Sequence, residues 1–254
     1  MIDAIIPERQ HGNMNPDVIR RAAMHAALGD PVRLAIIDDL AATDRSPKEL
    51  SERHHVATNL LAHHLAALED VGLILRLPSS GDKRRKYVRS SPERLLSIGF
   101  GVPRPAGRML FVCTRNSARS QLAAALWTAR TGEPASSAGT HPAPRVHRGA
   151  IAAARRAGLD LRDAVPRLVD QVASGSQVVT VCDGAHEELT PEPDWWHWSI
   201  ADPVDTATAA AFDAAVADID ARIHSIIART NSTVAGTNST IALSTSTIEG
   251  SDQP

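Results

Sequence analysis

The stretch "MLFVCTRNSARSQLAAALW", residues 109–127, limits what this chain can become more than any other. An unbroken apolar run ending in a cysteine is the pattern of a short strand buried on both faces. The Ala- and Leu-rich residues after Arg119-Ser120 have the character of a helix. A strand that passes into a helix through a short polar loop gathers backbone N–H groups around a concavity, with the helix's positive end beneath them. A thiol at that rim is held as a nucleophilic thiolate. Arg119, six positions on, offers a planar fork to two oxygens of a tetrahedral anion. Cys113 is therefore a candidate nucleophile and Arg119 a candidate catalytic cation, with Thr114, Arg115, Asn116, Ser117, Ala118 and Ser120 as candidate oxyanion-binding positions. Within that set, Ser120 can hydrogen-bond the thiolate and Asn116 can hold the loop. The competing reading is a strand-end cysteine buried for packing beside a surface arginine.

What surrounds this stretch sets the architecture. From residue 108 onward, strands and helices alternate: strand Met109–Cys113, helix 120–131, strand Ser136–Ala138, helix 148–157, strand Gln177–Val181 and a last strand near Trp196–Ser199. A long helix follows, its face marked by Phe212, Val216, Ile219, Ile223 and Ile226. Such alternation predicts a doubly wound parallel sheet of four strands. Before it, residues 99–107 are a Gly/Pro-rich linker, and residues 17–98 have a different rhythm. Asp30-Pro31 and Ser46-Pro47 each pair a helix cap with a first-turn proline. Leu61, Leu65 and Leu68 form one apolar stripe of a short helix that Gly72 ends. "LILRLPSSGDKRRKYVRS" then predicts two strands around a Ser-Ser-Gly-Asp turn, with Lys83, Arg84, Arg85, Lys86 and Arg89 clustered on them. The expected fold is thus α/β: an N-terminal winged helix-turn-helix, mostly α with a β-hairpin wing, followed by the parallel-sheet unit over 108–229. Residues 1–16 are expected to be a flexible start, and the Ser/Thr/Asn-rich residues 230–254 a disordered tail.

In a winged helix-turn-helix the second helix of the pair enters the major groove, which would present Thr58, Asn59 and His63 to base edges. The hairpin's Lys83, Arg84, Arg85 and Lys86 would lie along phosphates. Residues 1–100 carry 14 Lys and Arg against 13 Asp and Glu, so the basic character is local to the hairpin. The pairs His54-His55 and His63-His64 suggest metal binding, but neighbours on a helix point about 100° apart, and no metal site is assigned. Two cysteines cannot build a disulfide framework, no apolar run approaches the ~20 residues of a membrane span, and "MIDAIIPERQHGNMNP" lacks the basic start and apolar core of a secretory leader. A cytoplasmic protein without a membrane partner is expected.

Two resemblances sharpen these readings. "ALGDPVRLAIIDDL" and "SPKELSERHHVATNLLAHHLAALEDVGLI" resemble the ArsR-type (arsenic-responsive) repressors, with His64-Leu65, Leu68 and Gly72-Leu73 in register, over roughly residues 17–95. The resemblance implies a homodimer on palindromic operator DNA. Metal-sensing members carry cysteines or His/Asp/Glu sets, and this module has no cysteine. The second half resembles the low-molecular-weight tyrosine phosphatases, and "FVCTRNSARSQLAAA" is similar to their arsenate-reductase branch, which reads C-T-G-N-S-x-R-S-Q. "SSAGTHP", "VVTVCDGAHEEL" and "HWSIADPVD" agree in order, over roughly residues 108–229. The resemblance makes Asp202 of Asp202-Pro203 the general acid. Phosphotyrosine enzymes usually follow Asp-Pro with tyrosine, and here Val204 stands there, which favours a small inorganic oxyanion such as arsenate over phosphotyrosine. Thioredoxin-coupled members use two further cysteines about seven residues apart. Cys182 holds the first of those places and Leu189 the second, so Cys182 is either a resolving thiol or a buried strand-end residue. No tightly bound cofactor is expected. The reductant would be an external thiol, from a mycothiol, glutathione or thioredoxin system. Arg115 replaces a glycine common in the family, which would matter if the loop required a positive φ there.

Three functions follow. The first is an ArsR-type DNA-binding regulator fused to an arsenate reductase. The second is a regulator whose C-terminal half only senses an oxyanion or redox state, and the third is a tyrosine phosphatase with a DNA-binding head.

Overall fold

The computed structural model describes residues 15–100, 105, 107–170, 172, 173 and 175–239. Residues 1–14 of the expected flexible start, 101–104 and 106 of the linker, and 240–254 of the expected tail lie outside the described residues.

Four helices open the chain: α1 (Pro16–Leu28), α2 (Pro31–Leu40), α3 (Pro47–His54) and α4 (Thr58–Asp70). Their boundaries follow from local chemistry. The Asp30 side chain accepts from Arg33 N at the start of α2, and Ser46 and Glu49 form a reciprocal capping box at the start of α3. Gly72 takes φ +70° just past α4 and lets Leu73 N reach back to Leu68 O, a left-handed exit that few other residues adopt. Strands β1 (Ile74–Pro78) and β2 (Lys86–Ser90) then pair antiparallel, and α5 (Pro92–Ser97) follows. Met24, Ile36, Ile37, Leu40, Leu50, Leu61, Leu65, Leu68 and Val88 make one core here.

The second half is built on β3 (Met109–Cys113), α6 (Arg119–Thr131), β4 (Ala135–Gly139), α7 (Arg148–Arg156) and β5 (Gln177–Thr180). It continues through α8 (Asp183–Glu188), β6 (Trp196–His197), α9 (Pro203–Thr206) and α10 (Ala209–Ser239). The four strands are all parallel in the order β4-β3-β5-β6. Every residue of β3 is buried, which is why it is continuously apolar rather than alternating. Burial of Phe111 and Val112 alone stabilises this sheet by roughly 3–6 kcal/mol. Phe212, Ile219, Ile223 and Ile226 of α10 complete its core.

Two expectations are corrected. The helix α10 continues through Ser239, ten residues into the segment read as an aperiodic tail; extending an existing helix avoids the cost of nucleation that makes an isolated helix of such sequence unfavourable. Arg89 does not belong to the basic hairpin cluster. It turns inward to Asp44, Asp218 and the Ser199 carbonyl.

The reason lies in how the halves meet. Strand β2 is covered on both faces: Val88 points into the helical core, while Tyr87 lies against His197 and near Glu187. Residues 42–44, between α2 and α3, run beside β6, with Asp44 N donating to His197 O at 2.6 Å and His197 N to Thr43 Oγ1 at 2.7 Å. They cover an edge that would otherwise present unpaired backbone groups. Asp44, Arg89, Arg222 and Asp218 form a buried network there. Burial pushes the Asp44 carboxyl up, but the two guanidinium groups outweigh it and hold it below the usual range.

Candidate active site

The loop between β3 and α6 gains its shape from a segment distant in sequence. Thr140 N donates to Cys113 O, His141 N to Thr114 O at 2.8 Å, Ala143 N to Arg115 O at 2.9 Å and His147 N to Ser117 O at 2.8 Å. With those carbonyls held outward, the loop's N–H groups other than that of Thr114 are left to face the concavity. Gly139 sits behind it so closely that a Cβ would lie 2.8 Å from Thr114 O and 2.9 Å from Asn116 N. No side chain is tolerated there.

Cys113 is 2% exposed. Its Sγ receives the Asn116 N–H at 3.2 Å and contacts Ser120 Oγ at 3.1 Å. Asn116 is the loop's left-handed residue, with φ +46°. Its amide donates to Ser120 Oγ at 2.8 Å, and its Oδ1 accepts from Arg167 N and Gln121 Nε2. The strained backbone thus falls on an asparagine whose side chain is satisfied on every side, and Arg115, exposed and outside the left-handed region, carries no such penalty.

Arg119, 6% exposed, opens α6 and donates to Ile200 O at 2.9 Å and to Asp202 Oδ2 at 2.5 Å. The Asp202 carboxylate also caps α9, accepting from Val204 N. An open cleft of about 610 Å³ brings together Cys113, Arg115, Ser117, Ala118, Arg119 and Asp202. Thr114, Asn116 and Ser120 lie behind this lining. Thr114 N points to Cys182 Sγ, 3.2 Å away, so that N–H is not offered to a ligand in the cleft, contrary to its place among the oxyanion-binding candidates. Ser120 is fully buried and serves the thiol and Asn116.

Cys182 lies two residues past β5, beside the loop. Its Sγ also accepts from Ala185 N at 3.3 Å and caps α8. Burial pushes its thiol up, against the opposing pull of Arg119. It is packed as a structural thiol. Asp183, next in sequence, is held at about 2: burial raises it, but His197 and Ser80 hydrogen bonds prevail. The sequence reading missed three groups on the cleft wall, His147, Arg145 and Arg148. His147 caps α7 and stacks on Phe212 with ring centres 5.0 Å apart. No local spacing signals these residues, because the segment's role is to bond a loop some 30 positions earlier.

The other predicted set is separate from this cleft. Thr58, Asn59 and His63 are exposed on α4, opposite its buried Leu61, Leu65 and Leu68. Lys83, Arg84, Arg85 and Lys86 are exposed on the hairpin, with Arg84 bound through two bonds to Asp82. The hairpin's tip is docked: Ser80 N and Oγ meet Asp183 Oδ2, while Ser79 Oγ and Asp82 N meet Glu187. Among the described residues no group of three His, Cys, Asp or Glu side chains is placed to hold a metal ion, and no helix is long and apolar enough to cross a membrane.

A parallel sheet whose first strand delivers a cysteine into a loop closed by an arginine at a helix start defines a cysteine-nucleophile, oxyanion-binding class of protein. The sequence model of the low molecular weight phosphotyrosine protein phosphatases matches residues 108–235, and the chain belongs to that family. None of the curated proteins matches it. Among solved structures, an arsenate reductase in an oxidized state is 26% identical over 48% of this chain and 97% of its own, with a TM-score of 0.42. An arsenate reductase from Archaeoglobus fulgidus is 28% identical over 47% of this chain and 98% of its own, TM-score 0.41. The Erwinia amylovora tyrosine phosphatase AmsI is 19% identical over 48% and 92%, TM-score 0.42.

Proposed function

We propose that the C-terminal half reduces arsenate to arsenite through Cys113, and that the N-terminal half binds operator DNA as an ArsR-type homodimeric regulator. The observation that carries the enzymatic reading is the cleft wall: among the described residues no Phe, Tyr or Trp lines it, and Val204 lies near Asp202. An aryl phosphate gains much of its binding from an aromatic surface, whereas a small tetrahedral anion needs only N–H groups and a guanidinium.

In this mechanism the anion displaces Asp202 from Nη2 of Arg119, while Nη1 stays on Ile200 O. Released from Arg119, Asp202 takes up a proton from solvent; the Cys113 thiolate then attacks arsenic, and an arsenate hydroxyl leaves as water with that proton. An external thiolate then attacks Cys113 Sγ. The S–As bond breaks with its electron pair passing to arsenic, which leaves as arsenite, and Cys113 is left in a mixed disulfide. Cys113 and Cys182 are the chain's two cysteines, and Cys182 is buried with its thiol pushed up. That supports an external reductant, from the mycothiol, glutathione or thioredoxin systems, over an internal relay.

The exposure of Thr58, Asn59 and His63 on α4 and of Lys83, Arg84, Arg85 and Lys86 on the hairpin supports the DNA-binding reading. The experiment is arsenate turnover by purified protein with each thiol system in turn, beside p-nitrophenyl phosphate hydrolysis. Turnover with one system supports the reductase and names its reductant. Aryl phosphate hydrolysis alone replaces it with a phosphatase, and anion binding without turnover replaces it with a sensor.

A further inference from the structure

Among the described residues of the C-terminal half, Arg108, Arg155 and Arg167 are exposed, meet no carboxylate and do not line the Cys113 cleft; the other arginines divide into two sets. Arg119, Arg130, Arg156, Arg162 and Arg222 each meet a carboxylate. Arg115, Arg145 and Arg148 meet none among the described residues, although all three are exposed and all three line the cleft that opens on Cys113. Their convergence is built in. Arg115 lies on the nucleophile's loop, Arg145 lies within the segment that this loop's carbonyls bind, through Ala143 N to Arg115 O and His147 N to Ser117 O, and Arg148 follows it directly. Two carboxylates line the same cleft. Asp202 is taken up by Arg119, so among the described lining residues Asp205 is left to oppose three guanidinium groups. A concave site edged by one sign of charge concentrates ligands of the other sign.

The small tetrahedral anion does not account for this edge, because Arg119 and the loop N–H groups at the floor already complement it. A second reactant passes the same edge. On the reductase reading, on which this inference rests, a thiol must reach Cys113 Sγ through the mouth of the cleft. We propose that Arg115, Arg145 and Arg148 bind the carboxylates of that thiol, so that the preferred reductant is a small anionic thiol. A guanidinium fork matches a carboxylate in two parallel hydrogen bonds.

The test compares two disulfide reagents by stopped flow: dianionic 5,5′-dithiobis(2-nitrobenzoate) and neutral 4,4′-dithiodipyridine. In both, the Cys113 thiolate forms a mixed disulfide and an aryl thiolate departs with the electron pair of the broken S–S bond. The reagents differ in ring as well as in charge, so the ratio of their rates is compared between the two proteins, and peptide mass identifies the modified cysteine. The expected result is a preference for the anionic reagent that shrinks with added salt. In the doubly charge-reversed R145E/R148E protein, the anionic rate falls about tenfold while the neutral rate is unchanged. Equal reagent ratios in the two proteins overturn the proposal. The exchange needs no arsenate, so a protein that fails to reduce arsenate still tests the arginines. The companion measurement is the KM for glutathione against that for uncharged 2-mercaptoethanol in arsenate turnover. A rise in the double variant for both thiols alike also overturns it.

Discussion

The Cys113 loop and the Lys83–Lys86 hairpin are both short polar connections, yet they use their chemistry in opposite ways. The first has its carbonyls bound by residues 140–147 and its strained Asn116 held from three sides, so that its function resides in fixed backbone. The second carries its charge on exposed side chains, and what is fixed is only its tip, hydrogen-bonded to Asp183 and Glu187. Substitutions at the loop should therefore be severe and local to chemistry, and those on the hairpin graded and dependent on salt. At the Asp44 network, where the two halves meet, the cost should appear in stability.

The largest effect tests the loop. Cys113→Ser should lower arsenate reduction by a factor of at least about 10³ and leave DNA affinity unchanged; substantial turnover in that variant would remove Cys113 as nucleophile. Next comes the boundary. Asp44→Ala leaves Arg89 and Arg222 without their shared carboxylate in a buried setting, and should cost about 3–5 kcal/mol of unfolding free energy in urea titration. A loss below about 1 kcal/mol would show that the halves do not depend on this contact. Asp202→Asn should reduce turnover by about 10² without weakening anion binding, since Arg119 is freed from its partner; equal losses in both would make Asp202 a binding group instead.

A smaller effect concerns pH. Asp183 is held at about 2 in the folded chain, below the ordinary ~3.9 of an unfolded aspartate. A lowered carboxylate adds stability that is fully present above the unfolded value and lost as pH falls through the folded one. The contribution, about 2 kcal/mol, should therefore disappear between about pH 4 and pH 2, and Asp183→Asn should flatten that part of the acid-unfolding curve. An unaltered curve would mean that the hairpin's docking does not depend on this charge. The smallest effect is on the hairpin itself. Replacing Lys83, Arg84, Arg85 and Lys86 with alanine should lower the salt slope of operator binding by fewer than four charges, because Asp82 already engages Arg84. Unchanged affinity and slope would show that the hairpin does not touch phosphates.

Much of this was legible in local patterns. The apolar run Met109–Cys113 could only be a strand buried on both faces, Pro31 and Pro47 with their caps marked helix starts, and the spacing from Cys113 to Arg119 spans one loop. These features depend on neighbours within a few residues, where backbone sterics and hydrogen-bond reach decide the outcome. What local pattern could not assign depends on residues far apart. Thr114 falls by spacing among the anion-binding positions, but Cys182, sixty-eight residues away, claims its N–H. Arg89 read as one more charge in a basic run until Asp44 and Asp218 turned it inward. His147, Arg145 and Arg148 reached the cleft only because a remote segment binds the loop's carbonyls. Cys113, Arg119 and the strand beneath them followed from the order of the residues. The direction in which each N–H and each charge points was decided by packing, because a donor or a cation settles on whichever buried partner the tertiary structure brings within about 3 Å.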